Sequence, residues 1–96
     1  MLVEFVLGVN EDLGHRYVYV YRLRHQVQKV NGRKRKVRRR TLALHLTYAD
    51  SGALVEDAWY WDPTTMFDVF SEAKDFFSRS RGTPRRKLVN LSREGR

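Results

Sequence analysis

The chain has 96 residues, 42% hydrophobic and 31% charged, and its 19 Lys+Arg against 11 Asp+Glu give a formal net charge of +8. That length suits one core rather than two. The composition is too apolar for a disordered chain, and the absence of Cys excludes a disulfide scaffold and a thiolate metal site.

No apolar run approaches the ~18 residues of a membrane span. The opening MLVEFVLG lacks the basic start of a signal peptide. The expected location is therefore cytoplasmic, or nuclear or viral if the host is such.

In chain order, Leu2 to Val9 is apolar and β-branched and predicts a strand. Asn10-Glu11-Asp12-Leu13-Gly14 is turn material. Arg16 to Val30 alternates, is rich in Tyr and Val, and predicts a long second strand. Asn31-Gly32 is a strong hairpin signal, because a type I′ turn needs positive φ at both central residues. Arg33 to Tyr48 is then the returning strand. Asp50-Ser51-Gly52 suits a three-residue loop with Gly in the left-handed position, and Ala53 to Trp61 becomes a fourth strand.

Asp62 can cap a helix whose first position is Pro63. Met66, Val69, Phe70, Ala73, Phe76 and Phe77 follow at helical spacing, and Gly82 and Pro84 end the pattern. The expected fold is α+β: a four-stranded antiparallel sheet in the order β-β-β-β-α. One C-terminal helix covers one face, and a long basic hairpin arm occupies residues 22–40. The domain spans residues 1–82. Residues 83–96 form a basic tail whose cluster Leu88-Val89-Asn90-Leu91 suits docking, as a short edge strand or against a second subunit.

Charge is segregated along the chain. Between Leu13 and Ala49 there are eleven bases and no acid; Asp50 to Ser78 carries seven acids and one base; Arg79 to Arg96 carries seven bases and one acid. A surface tuned for solubility alone intersperses its signs. An acid-free basic hairpin points to a polyanion, above all nucleic acid.

Register sorts the faces. With a two-residue turn, Val30 faces Arg33, so Tyr21, Tyr19 and Tyr17 face Leu42, Leu44 and Leu46. A Tyr-x-Tyr-x-Tyr stripe can stack bases, but opposite three leucines it is assigned to the core beneath the helix. The other face carries Val18, Val20, Arg22 and Arg24 beside Arg39, Thr41, Ala43 and His45. A three-residue loop sets Trp59 opposite Ala43 and Trp61 opposite Thr41, next to the arginines, as a platform for unpaired bases. A two-residue loop would invert the fourth strand and send both indoles to the core.

The candidate nucleic-acid contacts are Arg22, Arg24, Lys29, Arg33, Lys34, Arg35, Lys36, Arg38, Arg39 and Arg40 on the hairpin, Trp59 and Trp61 on the sheet, and Arg85, Arg86 and Lys87 in the tail. No catalytic or metal site is expected. By strand parity His25 and His45 lie on opposite faces, Glu56 and Asp57 point apart, and no phosphate loop or nucleophile motif occurs. An ordinary contact between Asp57 and His45 is expected across strands. No cofactor and no small-molecule substrate are expected.

The leading expectation is a non-enzymatic nucleic-acid-binding protein with DNA favoured, single- or double-stranded. The breadth of the apolar helix face suggests a homodimer. Alternatives are a structural or interaction protein (a virion component, or an adaptor for an acidic partner) and an RNA-binding or ribosome-associated protein.

Overall fold

The computed structural model describes residues 2–60 and 63–90, with helix side chains from residue 68 onward. Six elements follow in order: β1 (Leu2–Asn10), β2 (His15–Val30), β3 (Arg33–Tyr48), β4 (Leu54–Trp59), α1 (Pro63–Ser80) and β5 (Arg85–Asn90). All strand pairs are antiparallel, in the order β4-β3-β2-β1-β5. The α+β class is as expected, but the sheet has five strands rather than four. The helix is not the last element: the chain leaves it and returns as β5 along the free edge of β1. Pairing with β1 satisfies that strand's second row of backbone groups.

The turns form where the residues predict them. Asn31 (φ 52°) and Gly32 (φ 77°) are both left-handed, as a type I′ turn requires. The Asn10 side chain accepts hydrogen bonds from the amides of Asp12 (3.1 Å) and Leu13 (3.3 Å). The three-residue loop at Asp50-Ser51-Gly52 is closed by a hydrogen bond that the Ala49 amide donates to the carbonyl of Ala53, 2.9 Å. Asp62, the expected helix cap, lies outside the described residues.

The core lies between α1 and one sheet face. Val3, Phe5, Leu7, Val18, Val20, Leu44 and Leu46 are buried there with Val69, Ala73 and Phe76. Phe76 stacks on Phe5 (ring centroids 5.5 Å apart) and Phe77 on Tyr48 (3.6 Å). The opposite sheet face has no layer over it among the described residues.

Two one-residue irregularities decide which side chains face which way. Val20 pairs with Leu44, but Tyr21 pairs with Leu42, so Ala43 is an extra residue in β3. Likewise Tyr48 pairs with Leu54 and Thr47 with Glu56, so Val55 is extra in β4. A bulge re-aims everything beyond it. The first bulge moves the partners of Tyr19 and Tyr17 from the expected Leu44 and Leu46 to His45 and Thr47. The leucines go to the helix side, and the tyrosines go to the open side. The second bulge moves the partner of Trp59 from Ala43 to Leu44, which turns the indole under the helix.

Candidate nucleic-acid interface

Pairing of β1 with β2 stops at Leu2–Leu23, and pairing of β4 with β3 stops at Leu44–Trp59. The hairpin from Arg24 to Arg39 therefore has no third strand on either edge among the described residues. At ~3.3 Å per residue, the span from Arg24 to Val30 reaches about 20 Å beyond the body. The radius of gyration, 15.5 Å, exceeds the ~12.5 Å expected for a compact chain of this length, which fits a projecting ribbon.

The ribbon's charges are unopposed. Arg24, Lys29, Arg33, Lys34, Arg35, Lys36, Arg38 and Arg39 are all exposed. None makes an ion pair with a carboxylate among the described residues. Cross-strand pairs set like against like, Arg24 opposite Arg39 and Lys29 opposite Lys34. Such pairs destabilise a sheet. Strand alternation places Lys29, Lys34, Lys36 and Arg38 on the open-face side of the ribbon, and Arg24, Arg33, Arg35 and Arg39 on the helix side.

At the root of the ribbon, Arg40 is tied down. Its guanidinium lies 4.0 Å from the Tyr21 ring centroid, and its Nη2 lies 2.9 Å from Glu4 Oε1. Glu4 is buried on the open face and holds Arg86 Nε at 3.6 Å from its other oxygen. One carboxylate thus anchors two arginines from strands on either side of it. Arg85 lies over the Phe76 ring on the helix side (5.2 Å), and Lys87 is exposed on β5. Arg22 is half-buried opposite Thr41.

The open face carries an aromatic ladder. Tyr17, Tyr19 and Tyr21 follow one another with centroids 6.3 Å apart and planes 24–25° off parallel. The His45 ring lies on Tyr19 at 4.7 Å and 3°, and 5.7 Å from Tyr17. Burial, and then the neighbouring Tyr21 and Tyr17, push the Tyr19 phenol above its ordinary value, so its hydroxyl stays protonated at neutral pH.

The assignment of the tyrosine stripe to the core is therefore corrected. Trp59 does share the face of Arg22, Arg24 and Arg39, but that is the face α1 covers, so its place on an open platform is corrected too. Trp59 stacks on Phe70 of α1 (5.0 Å), and its Nε1 donates to Asp57 Oδ2 at 2.7 Å. Trp61 lies outside the described residues. The Asp57–His45 contact does not form: Asp57 is opposite Leu46, on the helix side, while His45 lies against Tyr19. Nor do His25 and His45 lie on opposite faces. The Ala43 bulge puts both on the open side, with His25 out on the ribbon opposite Arg38. No group of three metal-ligating side chains occurs among the described residues. The ladder was legible as a stripe in the sequence, but its orientation was not.

Compared with known proteins, the chain matches no family model, no curated protein and no solved structure.

Proposed function

We propose that this chain is a non-enzymatic nucleic-acid-binding protein, with DNA the preferred polymer, that grips phosphates with its basic ribbon. The observation that carries the reading is the ribbon itself: eight exposed bases with no carboxylate partner among the described residues, two pairs of them directly opposed. Edge protection needs only a few charges, whereas opposed charges on a projecting hairpin cost stability that a polyanion repays. A two-stranded ribbon fits the ~12 Å major groove of B-form DNA, while the A-form RNA groove is too narrow to admit it. The exposed Lys87 on β5, with Arg86 nearer the ladder, adds positive charge at the opposite edge of the sheet.

The reading is tested by titrating the protein against DNA and RNA of equal length across a salt series. A steep linear fall of log affinity with log salt supports it. A second reading, a protein-interaction component, draws on the exposed Leu88 and Val55 at the two sheet edges. It expects a partner contact that hardly responds to salt.

A further inference from the structure

We propose that the ladder of Tyr17, Tyr19 and Tyr21, with His45, is a stacking platform for unpaired bases of the strand whose phosphates the ribbon holds. The inference rests on the nucleic-acid reading and specifies its ligand: a single-stranded stretch, read by ring contact rather than by base edge.

Four observations meet at this face. First, the rings stand on the uncovered side of the sheet, where a structural role beneath the helix is impossible. Second, Tyr19 already carries a flat nitrogen heterocycle: His45 lies parallel to it within 3°, in the arrangement a base ring would adopt. Third, Gly8 lies opposite Tyr17, and a Cβ there would meet nothing within 4 Å, so the flank of the ladder is open to a ligand. Fourth, the ladder and the basic track are continuous. The open-face row runs from Tyr17, Tyr19 and Tyr21 past Arg40 to Arg38, Lys36 and Lys34 on the partner strand.

Bases stack on aromatic rings while guanidinium and ammonium groups follow the backbone, and this pairing is how sequence-tolerant single-strand binders work. Among the described residues, the acids on this face of the sheet are Glu4, paired with Arg40 and Arg86, and Glu56 at the β4 edge. A second copy of the chain would bring the same +8 charge to the face, so a polyanion is the better-matched occupant.

The test uses the full chain and fluorescently labelled oligo(dT) of about 15 nucleotides, with a duplex of equal length beside it. Tyr19→Ala should weaken single-strand binding by about 5- to 150-fold and leave duplex binding within about two-fold; Tyr19→Phe should restore single-strand binding. Melting curves must show both variants folded. Should Tyr19→Ala not fold, the wild-type chain photo-crosslinked to a single strand carrying 5-iodouracil should give adducts at Tyr17, Tyr19, Tyr21 or His45. Adducts confined to the ribbon overturn the platform. Equal loss of single-strand and duplex binding in Tyr19→Ala overturns it too, as does a wild-type dimer that this variant converts to monomer. Unchanged single-strand affinity in folded Tyr19→Ala, with salt-dependent binding intact, refutes the ladder while the ribbon reading stands. Absence of salt-dependent binding to any polymer removes both.

Discussion

Removing one side of the ribbon's charge gives the sharpest test of the electrostatic reading. The variant carries Lys29→Gln, Lys34→Gln, Lys36→Gln and Arg38→Gln, the four open-face bases beyond the root of the arm. If each neutralises one phosphate of duplex DNA, the slope of log affinity against log salt should fall by about 3.6, at ~0.9 per phosphate. Carried from ~1 M to ~0.15 M salt, that slope corresponds to roughly a thousand-fold loss of affinity, on the order of 4 kcal/mol. The matched variant replaces the helix-side set, Arg24, Arg33, Arg35 and Arg39, by Gln. Its slope reports how far the polymer wraps the ribbon.

Fluorescence anisotropy over a salt series measures both variants. The fold should not suffer, because the changes relieve the Lys29–Lys34 or Arg24–Arg39 repulsion; melting temperatures should hold or rise. Both variants binding with wild-type slope would refute the argument that the ribbon contacts phosphate.

Three further outcomes follow from the packing. Phe76→Ala, which removes a buried ring stacked on Phe5, should cost ~3–5 kcal/mol in urea unfolding; a loss under ~1 kcal/mol would mean the helix does not seat on β1. Gly82 has φ 73°, and a Cβ there would collide with Arg16 Nε, whose guanidinium also pairs with Asp50 at 3.1 Å. Gly82→Ala should therefore lower Tm by about 4–16 °C, for ~1–2 kcal/mol of left-handed strain plus displacement of Arg16, whereas an unchanged Tm would deny the contact. Burial raises the phenols of Tyr19 and Tyr48 above their ordinary value of 10.0, Tyr19 with added help from Tyr21 and Tyr17. A phenol harder to ionise when folded leaves stability whole below that value and erodes it as pH rises through the folded value. Unfolding followed against pH should thus be flat with respect to these groups up to about 10 and fall beyond, and Tyr48→Phe should remove one of the delayed steps in tyrosinate absorbance.

Local chemistry alone determined a good part of this protein. Asn31-Gly32 specifies its hairpin because few other residue pairs accept two successive left-handed conformations. Pro63 and the apolar spacing up to Phe77 specify the helix, and the acid-free run between Leu13 and Ala49 specifies where positive charge gathers. Even the Asp50-Ser51-Gly52 loop has the expected length.

Tertiary structure decided the faces and the fifth strand. Sidedness in a strand has period two, so a single unpaired residue reverses it, and Ala43 and Val55 carry no local signature that marks them as bulges. Ala43 is fully buried, and its carbonyl accepts the Tyr60 amide at 3.0 Å, a contact between residues brought together only by folding. With the bulge in place, Leu44, Leu46 and Tyr48 reach the helix, and Tyr17, Tyr19, Tyr21 and His45 are released to the open side. The same holds for Arg85–Asn90: its apolar content is too small to specify a strand alone, and it becomes one because the edge of β1 lies within reach when the helix ends. Burial of the leucines against α1 outweighs the regular pairing of Tyr with Leu, and that balance exists only once the helix has docked.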